Sequence, residues 1–186
     1  VRDPLHRLAA GKPGDAKEFE LLTEATALQF AYRYEGLSCL SNSRLEPKPY
    51  QIFVAHRVLQ DLHPRHLLAD EVGLGKTIEA GLILKELRAR GLAHRVLIVV
   101  PASLREQWKG ELDVKFNEEF HIYTGSTIRE NRRRHPAENP WLADDNIIAS
   151  LPFARLQTSK ELNRRGYDGS THGIDEADWD LIIFDE

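Results

Sequence analysis

The octapeptide Asp70-Glu71-Val72-Gly73-Leu74-Gly75-Lys76-Thr77 restricts the fold of this chain more than any other stretch of it. It separates a short apolar run, His66-Leu67-Leu68-Ala69, from a longer one in which Ile78, Leu82, Ile83, Leu84 and Leu87 recur at helical spacing. The first run reads as a buried parallel strand and the second as a helix. A glycine-rich turn between such elements lets successive backbone N–H groups face inward as an anion-binding nest, and the helix adds the positive end of its dipole. In that arrangement the amides from Val72 to Thr77 and the Lys76 ammonium hold the phosphates of a nucleoside triphosphate, and the Thr77 hydroxyl holds Mg²⁺. The general pattern Gly-x-x-x-x-Gly-Lys-Ser/Thr has glycine where this chain has Asp70. A glycine turn capping an ordinary helix, with Lys76 a solvated charge, is therefore the competing reading.

The sequence Trp179-Asp180-Leu181-Ile182-Ile183-Phe184-Asp185-Glu186 supplies the complement. An Asp at the carboxyl end of a buried strand is placed to bind Mg²⁺ opposite a phosphate loop. The adjacent Glu186 is placed to orient and deprotonate the attacking water. Taken alone, the pair would be a polar strand exit; taken with the loop, it reads as the second half of a nucleotide site.

At 186 residues, 41% of them hydrophobic and 29% charged, the chain can bury a sizeable core in one domain. No apolar run approaches the roughly 20 residues that span a bilayer, so a membrane role is not expected. No secretory leader is visible, and the single Cys39 offers no disulfide framework, which favours a reducing cytoplasm. Cys39 reads as a small packing residue. His63-x-x-His66 beside Pro64 is too sparse for a metal site. A net charge of −4 excludes a uniformly positive surface, so any nucleic-acid contact must use a local groove. The absence of Met and the end at Asp185-Glu186 suggest a piece of a longer polypeptide.

Along the chain, residues 1–48 read as an irregular lead-in with one helix near Ala16 to Tyr34. Pro49 to Leu62 forms a helix with Ile52, Ala55, Val58, Leu59 and Leu62 on one face. Gly91 closes the helix that follows the loop. Strands are expected at Arg95–Val100, near Phe120–Tyr123, at Asn146–Ser150 and up to Phe184. Ser103-Leu104-Arg105-Glu106 has the form of a capping box, opening a helix in which Leu104, Trp108, Leu112 and Phe116 recur every four residues. That spacing makes Trp108 a core residue. Residues 125–145 form the least regular stretch and hold Arg129, Arg132, Arg133 and Arg134, either a phosphate-binding patch or a solvated face. Residues 166–177 read as a surface loop. Alternating strands and helices imply an α/β fold, a parallel sheet covered on both faces.

In this order the motifs resemble the first motor lobe of a Swi/Snf-type helicase-like ATPase, and most of all its bacterial RapA-like branch. The resemblance covers Pro49 to Glu186. Pro49-Tyr50-Gln51 is similar to the family's adenine-recognition element, in which Gln51 would read the base. Leu68 to Gly81 resembles its first motif, where an aspartate at the position of Asp70 is usual. Val99-Val100-Pro101-Ala102-Ser103-Leu104, followed by Gln107-Trp108, resembles a motif that touches the nucleic-acid backbone in relatives. Ile147-Ile148-Ala149-Ser150 resembles a further strand at the nucleic-acid face. Leu181 to Glu186 resembles the Asp-Glu box, ending before the Ala-His that relatives carry next.

The resemblance implies a RecA-like fold, ATP and Mg²⁺ as ligands, and nucleic-acid-stimulated hydrolysis driving translocation on double-stranded DNA. The loop from Asp70, Glu71, Val72, Gly73, Leu74 and Gly75 to Lys76 and Thr77, with Gln51, would bind nucleotide. Pro101, Ala102, Ser103 and Ser150 would meet nucleic acid. Relatives place transition-state arginines on a second lobe, so residues 1–186 alone should hydrolyse ATP poorly. RapA-like motors include a factor that recycles RNA polymerase and components of anti-phage defence. Two other classes compete: a nucleotide-gated switch acting on a protein partner without nucleic acid, and a binding module with a decayed loop. Pro101 to Trp108 speaks against the first, and the intact Lys76, Thr77, Asp185 and Glu186 against the second.

Overall fold

A computed structural model describes residues 17, 47–61, 65–69, 71, 73–166 and 172–185. Apart from Lys17, the expected helix at 16–34 lies outside the described residues, as do Cys39, His63, Asp70, Val72 and Glu186. Three β-branched, continuously apolar runs form the sheet: β1 (Val96–Val100), β3 (Asn146–Ser150) and β4 (Leu181–Phe184), with the two-residue β2 (His121–Ile122). The order is β2-β3-β1-β4, and every pairing is parallel. Val100 lies opposite Ser150, and Val99 opposite Phe184, so all three long strands end at one edge.

The strict alternation of side chains along β1 divides the core in two. Val96, Ile98 and Val100 face a cluster with Ile52, Leu82, Leu84, Leu112 and Phe116. Those residues come from helices α1 (Pro49–Leu59), α2 (Lys76–Ala89) and α3 (Arg105–Phe116). Leu97 and Val99 face a second cluster with Tyr123, Ile128, Trp141 and Ala154. Helices α4 (Gly125–Arg134) and α5 (Leu151–Leu156) cover that side; the short α6 (Ser159–Arg164) follows. The expected α/β arrangement with both faces covered is therefore present.

Local chemistry sets the boundaries. Proline occupies the first turn of α1, and Gln51 Oε1 accepts from the Lys48 amide at 2.9 Å. Past the end of α2, Gly91 takes φ +68°, while Gly91 N–H reaches Arg88 O (2.9 Å) and Leu92 N–H reaches Leu87 O (2.8 Å). This paired return is the Schellman ending. Gly81 allows α2 to approach α3, since a Cβ there would overlap the Phe116 ring.

At the opposite, amino edge of the sheet, Arg95 donates to Asp145 (2.8 Å), Trp141 O (2.8 Å) and Ala177 O (3.1 Å) and lies over the Trp179 ring. Beside it Asp180 accepts the Arg95 and His94 amides, which hold its carboxyl below the usual carboxylate range. A buried ionic staple ties α2 to the sheet. Glu118, only 5% exposed, accepts from Lys85 and Arg88, and Arg88 also reaches Asn146.

Three expectations are corrected. His66–Ala69 is not a strand: it makes no ladder, Leu67 is 88% exposed, and only Leu68 packs against the core. Unlike β1, β3 and β4, this run holds no β-branched residue, so its own preference for a pleated strand is weak. The Ser103 capping box does not form. Residues 101–104 make a turn closed by Leu104 N–H to Pro101 O (3.0 Å), the helix starts at Arg105, and Leu104 occupies the cap position. The stretch from 125 is not irregular, since α4 spans Gly125–Arg134 with Arg129, Arg133 and Arg134 exposed.

Candidate nucleotide site at the carboxyl edge of the sheet

Gly73 and Gly75 adopt φ of +93° and +88°, left-handed backbone that costs other residues about 1–2 kcal/mol. They turn the chain into α2, whose first residues are Lys76 and Thr77. The amides of Ile78 and Glu79 return to Gly75 O at 2.8 and 3.1 Å. Amides ahead of these have no carbonyl inside the helix to reach, which suits an anion at this end.

The turn is suspended from α1. Tyr50 Oη donates to Leu74 O at 2.7 Å and Gln51 Nε2 donates to the same carbonyl at 3.1 Å. Gln51 is buried, with its amide oxygen on the Lys48 amide and its nitrogen on the loop. In this geometry its amide positions the glycine turn. Sequence reasoning quoted Tyr50 only as part of a motif; its contact with Leu74, 24 residues away, has no local signature.

This clasp also explains Gly75 beyond its φ. A Cβ on Gly75 would stand 2.7 Å from Gln51 Nε2, whereas one on Gly73 would meet nothing within 4 Å. Gly75→Ala is therefore expected to weaken nucleotide binding at least tenfold and to do so more than Gly73→Ala, which carries only the backbone strain. Calorimetric titration of both variants with ATP checks this, and equal losses would contradict the role of the Gln51 contact.

Asp185 follows β4 directly. Its amide donates to Val99 O (2.9 Å), extending the parallel pairing by one residue, and its Oδ2 accepts from Trp108 Nε1 at 2.8 Å. Lys76, Trp108 and Asp185 line one cavity of about 530 Å³ between α2 and β4. The rest of its wall is largely apolar, including Ile83, Leu181 and Phe184. The Asp185 carboxylate and the Thr77 hydroxyl are hard oxygens of the kind Mg²⁺ takes, and Trp108 engages only Oδ2 of the carboxylate. No group of three or more His, Cys, Asp or Glu side chains converges among the described residues. Mg²⁺ needs no such cage, since it is usually held by one or two side chains together with phosphate oxygens and water.

Pro101, Ala102 and Ser103 leave β1 at the same edge, with Ala102 and Ser103 exposed. Ser150 ends β3 there but is 7% exposed and precedes α5, which leaves its hydroxyl little surface. The fold thus brings Lys76 and Asp185 to one cavity, ties Leu74 to Tyr50 and Gln51, and sets Pro101–Ser103 and Ser150 at the carboxyl ends of β1 and β3.

Fold and loop define a class, the RecA-like α/β lobe with a glycine-rich turn at a helix N-terminus. The family is narrower: the model described as the SNF2-related domain matches residues 50–186, and the chain belongs to that family. Among solved structures, the Sulfolobus solfataricus SWI2/SNF2 ATPase core in complex with dsDNA is similar in fold, with a TM-score of 0.59 at 20% sequence identity. The match covers 78% of this chain and 27% of that one, so the present chain spans about a quarter of that chain's length. No helix among the described residues is long and apolar enough to cross a membrane.

Proposed function

We propose that residues 49–186 form the ATP-binding lobe of a Swi/Snf-type DNA-dependent ATPase. Hydrolysis would drive movement on double-stranded DNA or remodelling of protein–DNA complexes. The observation that carries this reading is the shared cavity of Lys76 and Asp185, one following the glycine turn and the other following β4. The loop amides and Lys76 bind and orient the triphosphate, while Tyr50 and Gln51 keep the loop in place. Thr77 and Asp185 would hold Mg²⁺, which neutralises charge on the phosphates when bound. Glu186 positions and deprotonates the attacking water, and Asp70 and Val72 complete the loop. The roles of Glu186 and Val72 rest on the sequence pattern, and that of Asp70 on the family resemblance.

Pro101–Ser103 is the exposed segment on which DNA contact is proposed. A second lobe would contribute transition-state arginines, worth roughly 10³- to 10⁵-fold. Residues 1–186 alone should therefore bind nucleotide and turn it over slowly. The resemblance of residues 49–186 to the RapA-like branch makes a bacterial cytoplasmic setting, with RNA polymerase or a defence complex as partner, the reading to test by co-purification. The decisive assay is ATPase rate against double-stranded DNA concentration in the full two-lobed protein. Saturable stimulation supports the translocase, and a rate indifferent to DNA supports the nucleotide-gated switch instead.

A further inference from the structure

Trp108 does more than its helical spacing requires. It is 4% exposed and packs with Leu112 against the sheet, a seat that Phe or Leu could fill. Its indole nitrogen, however, donates to Asp185 Oδ2 across 77 residues of sequence. The Asp185 main chain is already fixed by Val99 O, so the indole settles the remaining freedom, rotation of the carboxylate about a broad two-fold torsion. A buried indole has one donor and few rotatable bonds, which makes it a stiff support.

We infer that Trp108 is a positioning residue for Asp185, occupying Oδ2 so that a divalent cation accompanying bound nucleotide meets the carboxylate through Oδ1 alone. This inference rests on the nucleotide reading proposed above. It has a consequence that packing does not share. One-oxygen ligation suits the strict octahedron of Mg²⁺, whereas Ca²⁺ accepts carboxylates through one oxygen or two. Removing the indole donor should therefore harm Mg²⁺ more than Ca²⁺.

The test uses the 186-residue chain and ATPγS. Trp108→Phe is expected to raise the Mg²⁺ concentration needed for half-maximal enhancement of ATPγS binding about tenfold, the scale of a hydrogen bond to a charged group, and to change metal-free ATPγS affinity by less than that. The Ca²⁺ requirement should change less, narrowing the preference between the two cations. An unchanged Mg²⁺ requirement, or equal weakening with and without metal, would overturn the inference. Should Trp108→Phe not fold, the wild-type chain decides by NMR. The Trp108 indole N–H resonance, assigned through the backbone, should shift when Mg²⁺ joins bound ATPγS, while those of Trp141 and Trp179 should not. An unmoved Trp108 resonance would refute the positioning role and leave the nucleotide site standing. If the wild-type chain binds no ATPγS at any Mg²⁺ concentration, the proposed function fails and the inference with it.

Discussion

Lys76→Ala in the full two-lobed protein is expected to lower ATP turnover by roughly 10²- to 10³-fold, the loss that follows removal of one preorganised transition-state donor. Lys76 is the first residue of α2, directly after the left-handed Gly75, and it lines the cavity that Asp185 also lines. On the proposed reading, an ammonium at that point meets negative charge that shifts onto the β–γ bridging and β-phosphate oxygens as the bond to the leaving group lengthens. Arg in its place keeps the charge but exchanges a compact ammonium for a planar fork, so Lys76→Arg should recover only part of the rate. Steady-state kcat and KM for the three proteins check this. The loss should fall mainly on kcat, because the interaction strengthens in the transition state.

Glu118→Ala should produce the largest loss of stability, about 3 kcal/mol, or a fall in Tm of roughly 6–12 °C at 2–4 °C per kcal/mol for a chain this size. The Glu118 carboxylate is 5% exposed and shared by Lys85 and Arg88, with Arg88 continuing to Asn146 at the start of β3. Without it, two cations are left facing each other in a half-buried pocket, and of the staple only the Arg88–Asn146 hydrogen bond remains. The full cost of breaking a deeply buried pair, about 3–5 kcal/mol, is reduced here because both cations reach some solvent. Glu130 is the internal control. Its ion pair with Arg134 lies on the exposed face of α4, so Glu130→Ala should change stability by no more than about 0.5 kcal/mol. Thermal melts of both variants decide, and similar shifts would show that burial is not what makes the Glu118 staple matter.

The strands at 96–100, 146–150 and 181–184 were legible because each is a continuous apolar run too short for a helix and bounded by polar residues. Helix α3 was legible from its four-residue period, and α1 from the proline at its start. What escaped the sequence is contact through space. Nothing near Leu74 announces that Tyr50 and Gln51 grip its carbonyl, and nothing near Trp108 announces Asp185. Gly81 gave no turn signal because its reason is the Phe116 ring on another helix. Two of the three local errors share one cause. Ser103 and the run 66–69 were assigned from short patterns, and such a pattern does not fix where a helix begins or, without β-branched residues, whether a strand forms.

On the proposed function, Lys76 and Asp185 face one Mg²⁺-nucleotide site. The most direct test is calorimetric titration of ATPγS into the wild-type chain, Lys76→Ala and Asp185→Asn, each with and without Mg²⁺. Mg²⁺ should tighten wild-type binding. Asp185→Asn should lose that enhancement while keeping metal-free affinity, and Lys76→Ala should lose affinity in both conditions. Equal Mg²⁺ enhancement in Asp185→Asn, or undiminished binding by Lys76→Ala, would contradict the shared site.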